Sequence, residues 1–120
     1  MKRKDLELMS RAEQRPAEIG KIRRQIDVVD RQIMRLLSRR FQLSRRMGIL
    51  KNKTGTAIID TGREKQIYGR LLQMTKKSVL DSALVLGIWK NIIRKSYQIQ
   101  RQVYNINKTN RNNGKKKQTG

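Results

Sequence analysis

The chain of 120 residues contains no cysteine and no histidine, and these absences exclude much of ordinary enzyme chemistry. Without cysteine there is neither a disulfide framework nor a thiolate nucleophile, and without histidine the usual metal ligand and general base are missing. Only nine residues are acidic, and no two of them have helical spacing within a credible site. Hydrolytic, redox and metal chemistry are therefore poorly supported, and we expect no cofactor and no metal.

Aromatic residues and long apolar runs are also scarce. Aromatic side chains make up 4% of the residues, with one Trp and one Phe, so we expect a small aliphatic core. No apolar run is long enough for a signal peptide or a membrane span. We therefore expect a cytoplasmic protein without a membrane partner.

What the chain has in excess is positive charge: 30 Lys and Arg residues give a formal net charge of +21. Such a charge attracts nucleic acid, acidic membrane surfaces or small multivalent anions, and does not choose among them. Residues 1–17 read as a mixed-charge N-terminal arm. Residues 105–120 are basic and lack an apolar period, which predicts a disordered tail. A single domain is expected over residues 18–104.

The spacing of apolar residues predicts an all-α chain of three helices, one long and two shorter. The first helix is predicted to run from about Glu18, just after Pro16, to Lys51. Asp60 is a good N-cap for the second helix, which fades near Lys77, and Asp81 caps the third. No alternation typical of a strand is present.

The first helix carries a continuous seam of apolar residues whose steps alternate between three and four, which is typical of a helix that packs along its whole length. Thirty-four residues make a helix roughly 50 Å long, whereas a compact chain of this size is about 35 Å across. We therefore predict an intertwined homodimer in which a partner covers the seam. The seam is regular provided that Arg40 is counted as a member, and its apolar residues are Ile19, Ile22, Ile26, Val29, Ile33, Leu36, Leu43, Met47 and Leu50.

Polar residues interrupt the apolar stripes at a few places. Arg40 stands in the seam where a leucine is expected, and Lys51 lies three turns later on nearly the same face. Ser96 and Gln100 share a face of the third helix. Arg23 is turned roughly 100° away from Arg40, so it could reach a partner more easily than the same pocket. Each of these positions also has an ordinary structural explanation when taken singly.

The order of these elements resembles the all-helical (AroQ-class) chorismate mutases. The resemblance covers about two thirds of the chain, from Ile22 to Gln100. Its motifs are the stretch 22–30 (IRRQIDVVD), the stretches 36–40 (LLSRR) and 48–51 (GILK), the stretch 60–64 (DTGRE), and the stretch 92–96 (IIRKS) followed by Gln100.

The resemblance implies a role for each matching residue. Arg40, together with Arg23 donated in trans by the other protomer of a homodimer, would bind the two carboxylates of chorismate. Lys51 and Gln100 would donate hydrogen bonds to the ether oxygen. The remaining substrate-binding residues would be Glu64 and the backbone near Asp60 at the ring hydroxyl, Ser96 at a carboxylate, and Arg63 in support.

The implied reaction is the pericyclic conversion of chorismate to prephenate, a step of phenylalanine and tyrosine biosynthesis in the shikimate pathway. It needs no nucleophile, proton transfer, metal or cofactor, which suits this composition. Three alternatives stay open. One is an isochorismate pyruvate-lyase on the same fold, and the second is a basic helical protein that binds nucleic acid non-specifically through surface arginines and the lysine-rich tail. The third is a helical interaction domain that kept the scaffold but lost catalysis.

Overall fold

The computed structural model describes the backbone of residues 11–119 and the side chains of residues 11 and 14–104. The chain forms three helices: α1 (Arg11–Thr54), α2 (Thr61–Thr75) and α3 (Ser82–Thr119). The described residues contain no strand, so the predicted all-α class with three helices is confirmed. The backbone of residues 105–119, predicted as a disordered tail, is helical and belongs to α3, whereas the side chains of that stretch and residues 1–10 of the predicted arm lie outside the described residues. The proposed division at residues 17 and 104 stays a prediction.

The predicted start of the first helix near Glu18 is wrong, because α1 begins at Arg11 and contains Pro16. Proline inside a helix removes one backbone hydrogen bond and crowds the preceding turn. The four residues before it, at positions 12–15, are Ala, Glu, Gln and Arg, all strong helix formers. Their propensity carries the helix across the missing donor.

The helix ends follow ordinary capping chemistry. Gly55 has a positive φ of 67°, and the N–H of Thr56 donates to the carbonyl of Lys51 at 2.9 Å, which closes α1 in a Schellman arrangement. The Asp60 side chain accepts from the N–H of Arg63 at 2.9 Å, so it caps α2 as predicted. The Asp81 side chain accepts from the N–H of Ala83 at 3.3 Å, which confirms the predicted cap of α3.

The chain divides into two compact units, and the division falls inside α1 between Arg39 and Arg40. The second unit holds the buried apolar residues, which come from α2 and α3. Three polar side chains are buried in the same unit. The apolar set is Leu71, Val85, Ile92, Ile93 and Val103, and the polar set is Ser44, Ser96 and Gln100.

Many of the predicted apolar stripe residues are nevertheless exposed in the single chain. On α1 they include Ile22, Val29 and Leu36, at 54%, 50% and 65% exposure. Leu84 and Ile88 of α3 are exposed as well. Within the described part of the chain, no helix has the length and apolar character needed to cross a membrane.

Candidate active site

The second unit contains a cavity of about 390 Å³ between the C-terminal part of α1, the start of α2 and the middle of α3. This volume lies within the range usual for small-molecule sites. Its lining combines three cations, two carboxylates and a set of uncharged side chains. The lining residues are Arg40, Leu43, Ser44, Met47, Lys51, Asp60, Arg63, Glu64, Ile67, Ile93, Ser96, Tyr97 and Gln100.

Arg40 is held at one end of the cavity by Ser96. Its Nη1 donates to the Ser96 Oγ at 2.7 Å, and the same hydroxyl donates to the carbonyl of Ile92 at 3.0 Å. Because the hydroxyl is donor to one group and acceptor from the other, it orients the guanidinium firmly. A guanidinium has five N–H donors, so this contact leaves others for a ligand.

Lys51 is held at the other end by two oxygen acceptors. Its Nζ donates to the Gln100 Oε1 at 2.9 Å and to the carbonyl of Ile58 at 2.6 Å. An ammonium has three donors and no acceptor, so one N–H of Lys51 is left over. For the same reason the Gln100 amide must turn its oxygen to Lys51, and its NH₂ group stays a donor. The pair therefore offers two donors side by side.

Burial acts on both cations. It lowers the pKa of Arg40, and the charge of Arg63 lowers that pKa further. Burial also lowers the pKa of Lys51, while the Asp60 carboxylate partly opposes the shift. A buried cation that lacks a paired carboxylate is costly, and an anionic ligand removes that cost. The cavity is thus electrostatically prepared for an anion.

The start of α2 contributes the remaining charged residues. The N-cap Asp60 lines the cavity together with Arg63 and Glu64 from the first turn of that helix. Arg63 Nη1 makes a long 3.4 Å hydrogen bond to the Gln66 Oε1, so its guanidinium is not tightly fixed. Glu64 supplies an acceptor at this end, where a hydroxyl of a ligand could donate.

Tyr97 is a site residue that the sequence reasoning missed. Its hydroxyl accepts from the N–H of Asp60 at 3.3 Å and donates to the Asp60 carbonyl at 3.4 Å. Its ring centroid lies 6.0 Å from the Lys51 Nζ. Tyr97 stands four residues after Ile93 and three before Gln100, on the face that carries the site, but this spacing does not distinguish it from a core tyrosine.

Gly48 was also missed, and it explains how α1 and α3 come close enough to join Lys51 to Gln100. A Cβ on Gly48 would lie 2.8 Å from the Cα of Gln100, which no real contact tolerates. Glycine inside a helix costs roughly 1 kcal/mol relative to alanine. A glycine inside the predicted first helix was therefore a signal for close backbone approach.

The cavity brings together seven of the eight residues predicted from the sequence. They are Arg40, Lys51, Asp60, Arg63, Glu64, Ser96 and Gln100. The eighth, Arg23, belongs to the first unit and is absent from the cavity lining. Among the described residues, no cluster of three or more Asp, Glu, His or Cys side chains could hold a metal ion.

Comparison with known proteins agrees with this geometry. Residues 22–101 match the family described as chorismate mutase type II. A chorismate mutase of Methanocaldococcus jannaschii is 31% identical over 85 residues, which cover 71% of this chain and 86% of that protein. A bifunctional chorismate mutase/prephenate dehydratase of Aquifex aeolicus is 28% identical over 89 residues, covering 72% of this chain and 25% of that protein.

The fold and site thus define an all-helical enzyme that acts on a small anion. The chain belongs to the chorismate mutase type II family, and its activity is that of a chorismate mutase, an isomerase. The family and the enzyme class predicted from the sequence are confirmed. The individual roles of the site residues stay predictions.

Proposed function

We propose that this cavity converts chorismate to prephenate by holding the substrate and stabilising charge, without any covalent step. The observation that carries the proposal is the pairing of Lys51 with Gln100 at one end of the cavity and of Arg40 with Ser96 at the other. Two donors for an ether oxygen and a cation for a carboxylate are what the rearrangement requires.

The reaction breaks a C–O bond and forms a C–C bond within one molecule. Its barrier falls when the flexible dianion is held in the reactive chair form, because positioning replaces lost conformational freedom. It falls further when donors stabilise the negative charge that grows on the ether oxygen. The remaining N–H of Lys51 and the NH₂ group of Gln100 supply these donors. Arg40 anchors a carboxylate.

The other lining residues complete the proposed binding scheme. Glu64 accepts from the ring hydroxyl of the substrate, near the backbone of Asp60. Arg63 adds positive charge from α2. Ser96 acts at the carboxylate end, and its two hydrogen bonds support the view that it does so by orienting Arg40.

The charge of the cavity favours a further cation from outside its own lining. Three cations and two carboxylates give the lining a formal charge of +1, whereas the substrate is a dianion. Arg23 of a second protomer would bring the charge to +2, which matches the substrate. We therefore propose a homodimer in which each site receives Arg23 in trans.

The exposed apolar seam on α1 supports the same assembly. Side chains from Ile19 to Leu36 along this helix are about half exposed in the single chain. A row of apolar residues at heptad spacing is the usual surface of helix pairing between chains. We propose that a second copy of the chain covers it in an intertwined dimer.

The first experiment is a chorismate mutase assay with purified protein at moderate salt, following the loss of chorismate absorbance and identifying the product as prephenate. Isochorismate is assayed in parallel with detection of pyruvate. Turnover of chorismate to prephenate is expected. Release of pyruvate from isochorismate as the faster reaction would replace the proposal with the lyase on the same fold.

Mixed dimers test the position of Arg23 directly. Chains carrying Arg23→Ala and chains carrying Arg40→Ala are each expected to have very low activity. In a mixed dimer, donation in trans leaves one site with both arginines and the other with neither. Random pairing makes about half of the dimers mixed, so roughly a quarter of wild-type activity should return. If Arg23 served its own chain, every site would keep one lesion and mixing would restore nothing.

We further propose a cytoplasmic location, where the chain would meet its substrate. Contact with nucleic acid through the basic surface is the remaining alternative for the excess charge. Binding of that kind falls steeply as salt rises, because it releases counterions. A DNA mobility shift measured over a salt series, with and without residues 105–120, decides whether the surface has this second property.

A further inference from the structure

Tyr97 joins α3 to the segment that connects α1 with α2. Its hydroxyl contacts both backbone polar groups of Asp60, accepting from the N–H at 3.3 Å and donating to the carbonyl at 3.4 Å. Both contacts are long, and together they use the donor and one acceptor site of the phenol. These contacts hold the Tyr97 hydroxyl to the backbone of Asp60, and the Glu64 side chain lies close enough to the same hydroxyl to raise its pKa.

The same connecting segment holds Lys51. The carbonyl of Ile58, two residues before Asp60, accepts from the Lys51 Nζ at 2.6 Å. A shift of the segment would move this carbonyl and change where the ammonium lies relative to Gln100. The Tyr97 ring also lies 6.0 Å from that ammonium, at the limit of a cation–π contact.

We propose that Tyr97 is a positioning residue, whose hydroxyl fastens residues 56–60 to α3 so that Ile58 holds the Lys51 ammonium beside Gln100. The inference rests on the proposed function of Lys51 as a donor to the ether oxygen. It adds that the donor is set in place from the loop side by a phenol that itself makes no bond to the reacting atoms.

The Tyr97 hydroxyl also accepts a hydrogen bond from a backbone group, the Asp60 N–H, that the family resemblance assigns to the substrate. The backbone near Asp60 was expected to hold the ring hydroxyl of chorismate, but the Asp60 N–H already has Tyr97 as its acceptor. In this chain the ring hydroxyl is then left to Glu64, while the Asp60 backbone serves to anchor the segment.

Loss of the phenol oxygen should change the surroundings of Lys51 in a measurable direction. Burial lowers the Lys51 pKa, so a looser segment that admits water should raise it toward the ordinary lysine value. The Tyr97 pKa is itself raised, first by burial and then by the charge and hydrogen bond of Glu64, while the hydrogen bond with the Asp60 backbone lowers it. The titratable or charged groups that line the cavity with Lys51 are Arg40, Asp60, Arg63, Glu64 and Tyr97, with Arg23 added in the proposed dimer.

The test compares Tyr97→Phe with wild type and with Tyr68→Phe, a tyrosine of α2 that lines neither the cavity nor the connecting segment. Tyr97→Phe keeps the ring and removes the two hydrogen bonds. We expect kcat to fall about tenfold with little change in KM, since the misplaced donor acts mainly in the transition state. We also expect the alkaline limb of kcat to move to higher pH, because activity needs the ammonium form.

A readout independent of turnover separates this inference from the proposed function. The Lys51 Nζ is titrated by NMR in the three proteins, after circular dichroism has shown that all are folded. A higher Lys51 pKa in Tyr97→Phe alone supports the inference. An equal pKa in all three proteins, or an unchanged kcat in an active Tyr97→Phe enzyme, overturns it. If the wild-type protein formed no prephenate from chorismate, the proposed function would be refuted. The NMR comparison would still decide the role of Tyr97.

Discussion

Two stretches of α1 have opposite relations between polarity and burial. In the first stretch, from Ile19 to Leu36, the helix leaves apolar side chains about half exposed. In the second stretch, from Arg40 to Lys51, it draws polar side chains inward, with Ser44 buried and both cations partly desolvated. Apolar side chains are ordinarily buried and polar ones exposed. One stretch departs from this rule by burying polar groups, and the other departs from it by exposing apolar groups.

The difference indicates what is missing around each stretch. A desolvated cation without a paired carboxylate is unfavourable, so the second stretch is complete only with an anionic ligand. An exposed apolar row is unfavourable in water, and we propose that another apolar surface covers the first stretch. One helix thus carries a ligand site and, by our proposal, a protein interface in consecutive segments.

The largest effect is expected when the cations of the second stretch are removed. Arg40→Ala and Lys51→Ala should each lower kcat/KM on the order of 10²-fold or more, by analogy with the loss of an oxyanion donor. The assay of chorismate loss measures this. Arg45→Ala is the control, because Arg45 is an exposed arginine of the same helix outside the cavity. Near wild-type activity in either site variant would remove that residue from the mechanism.

A substitution in the first stretch tests whether its apolar row is covered in solution. Ile33 is 50% exposed in the single chain, and truncation of an exposed side chain changes stability by about 0.5 kcal/mol or less. If a partner buries it, Ile33→Ala should instead cost about 2–5 kcal/mol. Urea unfolding at several protein concentrations measures the difference.

Met34→Ala is the matched control for Ile33→Ala, because Met34 is the next residue, is 65% exposed and lies outside the seam. It should have little effect at any concentration. Equal, small costs for both variants, together with a monomer by light scattering, would contradict the proposed dimer and leave the exposed row without a partner.

The helices were predictable because their signals are local. Asp60 and Asp81 cap their helices as their residue type and position suggest, and Gly55 ends α1 with the positive φ that glycine permits. The start of α1 was not predictable in the same way. There, helix propensity on one side of Pro16 competes with the constraint of the proline itself.

The charged and polar residues of the site were predictable from motif order, and Tyr97 was not. Arg40, Lys51 and Gln100 stand out because polar groups interrupt apolar stripes. A tyrosine in such a stripe looks like core, and its contact with the backbone of Asp60 depends on how the connecting segment folds back. That path is a tertiary property, which residue spacing does not encode.

The close contact beside the second stretch gives a smaller, testable effect. Gly48→Ala forces a Cβ to within 2.8 Å of the Gln100 Cα, so α1 and α3 must move apart. We expect a loss of about 1–3 kcal/mol from overpacking, partly offset by better helix propensity. The activity should fall as well, since the Lys51–Gln100 pair spans this contact.

Gly69→Ala is the control for the glycine substitution. A Cβ at this position in α2 meets nothing within 4 Å, so alanine should stabilise the protein by up to about 1 kcal/mol. Thermal unfolding followed by circular dichroism compares the two variants. If Gly48→Ala proved as stabilising as Gly69→Ala, the close packing of α1 on α3 would be absent in solution.

The smallest effects separate two buried serines that both line the cavity. Ser44 donates to the carbonyl of Arg40 one turn earlier, a bond within its own helix, whereas Ser96 accepts from the Arg40 guanidinium. Ser44→Ala exchanges a local bond for better helix propensity, so its kcat/KM should stay within about twofold of wild type. Ser96→Ala removes a bond to a charged group, typically about 1.5 kcal/mol or more, and should raise KM about tenfold. Equal effects of the two substitutions would mean that burial of a hydroxyl in this cavity, and not the orientation of Arg40, is what the enzyme needs from Ser96.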